Sequence, residues 1–197
     1  MSTKNIESIR AAAEQGDAGA QFDLGLIYDN GDGVNRDERE AVRWYRHAAE
    51  QGHANAQLHL GLMYNNGEGI SRDDGAAVRW YARAAEQGLA DAQFNLGLMY
   101  YSGEGVGKDA VKAAQWFRRA AEQGHAKAQF NLGALYANQE GVPNDNVELY
   151  KWWMLAAVQG YPHAKENIET ITKRMTKAEL AMAQERVAAW LNNVQTQ

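Results

Sequence analysis

The phrase AEQG recurs with a fixed period of 36 residues, closing at Gly16, Gly52, Gly88 and Gly124, and a variant copy, AVQG, closes at Gly160. A period of this size marks a helical repeat array, in which each unit buries its apolar face only against its neighbours. The 19 glycines and two prolines fall as punctuation between periodic segments rather than as a low-complexity tract.

One unit, residues 17–52, reads as two helices. Ala20, Leu24, Ile27 and Tyr28 share one helical face, and Ala41, Trp44, Tyr45, Ala48 and Ala49 form a second stripe. Gly31 and Gly33 supply the turn between them, and Asp37 is an N-cap with Glu40 in the capping-box position. Leu24-Gly25 returns as Leu60-Gly61, Leu96-Gly97 and Leu132-Gly133. A glycine inside a helix costs about 0.5–1 kcal/mol relative to alanine. Four copies at one register therefore imply close approach by the bulky pairs Trp44-Tyr45, Trp80-Tyr81, Trp116-Phe117 and Trp152-Trp153 of the second helix. Those aromatics read as core.

The expected organisation is an N-terminal capping helix at 1–16, four repeats at 17–52, 53–88, 89–124 and 125–160, and a partial repeat with a C-terminal capping helix at 161–197. Residues 161–175 read as a fifth first helix with Glu169 in the glycine register. Thr176 and Glu179 form a capping box for a last helix of about 16 residues, whose apolar positions are Leu180, Val187, Trp190, Leu191 and Val194.

Several chemistries are excluded or fail on inspection. Without cysteine there is no disulfide, thiolate nucleophile or cysteine-ligated metal. A net charge of −5, with Lys and Arg spread through every unit, argues against a nucleic-acid or anionic-membrane surface. No apolar run is long enough for membrane insertion, and the first residues lack a signal core, so a cytoplasmic location is expected; a chain whose leader had been removed would read the same. SGEGVGKDA at 102–110 has Asp109 where a phosphate loop needs Ser or Thr. DNGDGVNRDERE at 29–40 has glycines at the third and fifth positions of a calcium loop. His47, His53, His59, His125 and His163 show no ligand spacing and read as solvated surface. No catalytic, cofactor-binding or metal-binding residue is expected.

The pattern A-x-x-x-L-G-x-x-Y-x-x-G-x-G-V, then D, then A-x-x-W-(Y/F)-x-x-A-A-x-x-G resembles the Sel-one-like repeat family, relatives of tetratricopeptide repeats, over four units. That resemblance implies an all-α fold, a right-handed α-α superhelix of antiparallel helix pairs, and an adaptor role for an unidentified protein or peptide. It also implies, for bacterial members, links to signalling, the envelope or host contact. One cysteine-rich branch is associated with penicillin binding or hydrolysis, which makes an enzyme acting on β-lactam or cell-wall substrates the alternative; this chain lacks that branch's cysteines. Unit four departs from the pattern at Gln139, Pro143 and Leu149-Tyr150, as adaptation to a cap or as a docking surface. A further alternative is self-association that buries Trp152, Trp153 or Trp190 against a second copy.

Tetratricopeptide-like packing would place the first helices on a concave face, with groove positions off the Leu-Gly-Tyr stripe. The candidates are Asp23, Asp29, Asn30, Asn55, His59, Asn65, Asn66, Asp91, Asn95, Tyr101, Ser102, Lys127, Asn131 and Asn138. Carboxamides both donate to and accept from a peptide backbone, as recognition of an extended segment requires.

Overall fold

Two chemical signals bound the helices of the array. The computed structural model describes residues 3–195, and the side chains of residues 6–193. The first helices of the repeats, α2 (Ala18–Asn30), α4 (Ala54–Asn66), α6 (Ala90–Ser102) and α8 (Ala126–Asn138), each end on a left-handed residue, Gly31, Gly67, Gly103 and Gln139. The N–H of that residue returns to a carbonyl of the last turn, which closes the helix. The second helices, α3 (Glu38–Glu50), α5 (Asp74–Glu86), α7 (Ala110–Glu122) and α9 (Asn146–Val158), open on Asp37, Asp73, Asp109 and Asp145, whose carboxylates accept first-turn N–H groups. Helix α1 (Thr3–Glu14) precedes the repeats, and α10 (Ala164–Thr172) and α11 (Lys177–Gln195) follow. Among the described residues there are eleven helices and no strand, the expected all-α helical-repeat fold.

Three local expectations are corrected. The Glu40 carboxylate does not complete a capping box; it pairs with Arg43 at 3.4 Å. His53 and His125 are not free surface residues: each Nδ1 caps a first helix, accepting from Ala56 N–H and Ala128 N–H as Asp17 accepts from Ala20 N–H. Helix α11 is 19 residues long rather than about 16. Its Thr176–Glu179 capping box forms in both directions, and the Val194 side chain lies outside the described residues.

Residues 1–108, holding α1–α6, and residues 109–197, holding α7–α11, are two compact units. In the first, the second member of each aromatic pair fills the space left by the helix glycine. A Cβ on Gly25 would lie 2.5 Å from the Tyr45 ring, and one on Gly61 2.6 Å from Tyr81. Trp44 instead packs with Ile6, Ala13, Leu24 and Ile27, where α1 covers the array. Trp153 repeats the contact on Gly133 in the second unit. Successive turns also nest on backbone: Gly69 sits against the Glu38 carbonyl, Gly105 against that of Asp74, and, in the second unit, Gly141 against that of Ala110. No side chain larger than hydrogen fits there.

A polar ladder runs inside this packing. Gln21, Gln57, Gln93 and Gln129 are 0–6% exposed, and each Nε2 donates to the carbonyl eight residues earlier, of Ala13, Ala49, Ala85 or Ala121, at 3.0–3.1 Å. The Oε1 atoms of Gln21, Gln57 and Gln129 accept from Gln51, Gln87 and Gln159 at 2.7–2.8 Å. The glutamine of the recurring AEQG phrase thus satisfies a buried carboxamide, which would be costly if left unpaired.

In the second unit, Trp152 and Trp153 are 1% and 8% exposed, and Trp153 Nε1 donates to the Phe130 carbonyl. The expectation that these tryptophans could bury against a second copy is corrected: their own unit already covers them. Helix α11 returns to α9 through Arg186, which bonds Glu148 at 2.6 Å; Lys151 and Arg118 stand 3.4 and 3.8 Å from the same carboxylate.

Candidate functional site

The candidate residues on the first helices meet different fates. Asp23, Asn55 and Asp91 are exposed in the first unit, and Lys127 and Asn138 in the second, where Asn131 is half-buried. Asn30 and Asn66 turn back to Asp32 and Glu68 of the following turn, at 3.5 and 3.4 Å. Asp29 accepts the Tyr45 hydroxyl at 3.2 Å, and its carbonyl accepts Arg36 Nε at 2.9 Å. His59 packs edge-on to Phe22 and lies 5.0 Å from the Tyr45 ring centre. Burial lowers the affinity of His59 for a proton and the Asp29 charge opposes that shift; burial, then Asp29, raises the Tyr45 phenol. Asp29 and His59 therefore fill the niche among α2, α3 and α4.

One register further, among α4, α5 and α6, the niche is open. Asn65, Asn95, Tyr101 and Ser102, all sequence candidates, line a cavity of about 220 Å³ together with Leu62, Tyr81, Leu98, Met99 and Glu104. Asn95 occupies the position of His59, and its shorter side chain leaves the space the imidazole takes in the previous repeat. Asn65 Nδ2 donates to Asp74 at 3.2 Å, and Arg72 clamps the same carboxylate with two bonds of 2.9 Å. The Arg72 hydrogen bonds hold the Asp74 carboxyl below the usual carboxylate range, with Asn65 adding to the effect. The Lys108 ammonium stands 5.4 Å from the centre of the Tyr101 ring.

The same niche opens in the second unit among α8, α9 and α10, where it encloses about 390 Å³. Trp153, Asn167 and Ile171 line it at the registers of Tyr81, Asn95 and Met99. Sequence reading missed this site. Its signal was available: the asparagine column through 95 and 131 continues one period on to Asn167. A larger open depression of about 810 Å³, between the turns at Arg36–Arg39 and Gly67–Ser71, has Arg36 already paired with Glu38 at 3.0 Å. Among the described residues no cluster of His, Asp and Glu could hold a metal, and no helix is long and apolar enough to cross a membrane.

The Sel1 repeat model matches residues 18–53, 54–89, 90–125 and 126–161. The chain belongs to the Sel1 repeat family. Among solved Sel1-type structures, it is similar to c5321, a protective antigen of uropathogenic Escherichia coli displaying an SLR fold, with 44% identity and a TM-score of 0.76. That match covers 79% of this chain and 33% of the antigen, so the chain spans about a third of the antigen's length. A Sel1 repeat protein from Oxalobacter formigenes is 34% identical, with a TM-score of 0.75 over 85% of this chain and 74% of its own. Helicobacter pylori cysteine rich protein B is 26% identical, with a TM-score of 0.50, over 64% of this chain and 90% of its own. No curated protein matches the chain. Sel1 repeat proteins are generally non-enzymatic, often scaffolds for protein interaction.

Proposed function

We propose that this Sel1 repeat protein is a non-enzymatic adaptor that holds an extended segment of a protein partner along α2, α4 and α6 of its first unit and seats one side chain of that segment among α4, α5 and α6. The observation that carries this reading is the composition of that cavity. Leu62, Leu98 and Met99 give it apolar walls, while the Asn95 carboxamide stands at the edge with no protein partner among the described residues. An apolar seat beside a carboxamide suits a side chain flanked by backbone amides.

Affinity capture from the source organism's lysate tests it, comparing the wild type with an Asn95→Ala/Tyr101→Ala variant. Asn65 is left intact because it braces Asp74. A protein retained by the wild type and lost by the variant, with Tm lowered by less than about 4 °C, is the expected result. Equal retention by both would refute the seat. Nitrocefin turnover above background in the same preparation would favour the β-lactam-acting alternative. The likeness to a protective antigen supports a host-contact setting; fractionation of the source cells decides between that setting and a cytoplasmic one.

A further inference from the structure

The α8–α9–α10 cavity departs from its own array at the positions that line it. Trp153 stands where α5 has Tyr81, Thr170 where α6 has Leu98, and Asn144 where the earlier turn has Arg72. Gln139 occupies a register that is glycine in the other three repeats and keeps a left-handed φ of 58°. A side chain is disfavoured in that conformation, and the one gained here lines the cavity. Arg174 replaces the small polar residues of its column, Asn66 and Ser102, and pairs with no carboxylate among the described residues.

The lining contains no Asp or Glu. Its one charge is a guanidinium, and the carboxamides of Gln139, Asn144 and Asn167 add neutral donors; the fourth, Asn146, is bonded to Glu179, a carboxylate outside the lining that is held by Thr176. A guanidinium fork with neighbouring amide donors recognises a carboxylate. Trp153, Leu149 and Ile171 form an apolar floor beside it, and the Trp153 indole N–H is already spent on the Phe130 carbonyl. A ligand matching this arrangement carries a carboxylate next to an apolar side chain. It carries no ammonium, because the lining offers no anion to meet one. That combination is an acylated, apolar residue with a free carboxylate.

We propose that the cavity binds the carboxyl-terminal residue of a peptide, with the carboxylate at Arg174 and an apolar side chain on the Trp153 floor. A volume of about 390 Å³ is at the small end for a ligand cavity, enough for one terminal residue and part of the next. The site is distinct from the α4–α6 seat and stands without it.

The test uses the full chain, labelled with nitrogen-15, and N-acetylated tripeptides Gly-Ala-X in which X is Val, Leu or Phe. Free-acid peptides, titrated into the millimolar range, are expected to shift the Trp153 indole resonance and the side-chain amides of Gln139 and Asn167. The C-terminal amides and free leucine are expected to bind at least tenfold more weakly. Arg174→Gln should weaken free-acid binding tenfold or more. Thr170→Leu, which installs the residue the array itself uses at 98, should fill the cavity and abolish binding while the helical spectrum and Tm are preserved. The Asn95→Ala/Tyr101→Ala variant should bind the tripeptides as the wild type does, which separates failure of this site from failure of the adaptor reading. Equal binding of acid and amide, wild-type affinity in Arg174→Gln, free leucine binding as tightly as the peptides, or no shift with any of them would each overturn the proposal.

Discussion

Replacing Gly61 by alanine sets two effects of opposite sign against each other. Alanine is favoured over glycine inside a helix by about 0.5–1 kcal/mol, and Gly61 lies in the interior of α4. The new methyl would stand 2.6 Å from two ring carbons of Tyr81, about 1 Å inside the ~3.5–4.0 Å separation of carbons in contact. Tyr81 is 1% exposed, and the ring can relieve the contact only by leaving its packing for the adjoining cavity. Overpacking of this kind costs roughly 1–3 kcal/mol, which leaves a net destabilisation of about 0–2.5 kcal/mol, centred a little above 1. Urea unfolding followed by circular dichroism measures it. The decisive comparison is the same substitution in a Tyr81→Leu background. With the ring gone, Gly61→Ala should be neutral or stabilising, so the two changes couple by at least about 1 kcal/mol. A gain in stability in the wild-type background, or an equal loss in both, would show that the glycine register is not kept for the crossing aromatic.

Three more outcomes follow from the packing. Gln57→Ala removes one donor from the Ala49 carbonyl, which keeps the Gly52 N–H, and one of the two acceptors of Gln87, which keeps the Gly52 carbonyl; a loss of about 1–2 kcal/mol in chemical denaturation is expected, and one below about 0.5 would deny the ladder its role. Burial depresses the His59 pKa in the fold below its reference of 6.5, with Asp29 opposing, so the unfolded chain binds more protons below that pH. The stability His59 contributes is full above about pH 6.5 and declines as pH falls below it, and His59→Asn should flatten that decline; an unchanged slope there refutes it. Glu148→Gln leaves Arg118, Lys151 and Arg186 facing one another; it should destabilise by about 1–3 kcal/mol, speed hydrogen exchange in α11, and be partly rescued by salt, which screens the repulsion.

What the sequence made legible is what depends on local signals repeated in phase. The aspartate caps, the glycine stops and the meeting of helix glycines with aromatics are each encoded within one unit; the caps recur in four units, and the stops and the observed glycine–aromatic contacts in three each. The glutamine column at 21, 57, 93 and 129 was equally regular, yet its burial could not be read from regularity, because its partners lie 8 and 30 residues away across two helix junctions. His53 and His125 escaped as caps because histidine is an uncommon residue there, although they share a register with Asp17. The cavities were the least visible. Whether a niche is filled or open depends on one side chain: His59 closes it, while Asn95 and Asn167 leave space whose volume also depends on Tyr81 or Trp153. Of the fourteen groove candidates, Asn65, Asn95, Tyr101 and Ser102 come together at one cavity, and Asp29 and His59 are consumed by a filled one.

The glutamine ladder also bears on how such a gene can change. Each 36-residue unit brings one buried carboxamide bonded to a carbonyl eight residues before it, and the units at 17–52, 53–88 and 125–160 also bring the glutamine that satisfies their own. Inserting or deleting a whole unit therefore creates as many polar demands as it meets, whereas a fractional insertion strands at least one amide in the interior. Array length is free to drift by duplication and loss, and selection on the interior acts as a proofreader of reading phase, rejecting any change that is not a whole multiple of the period.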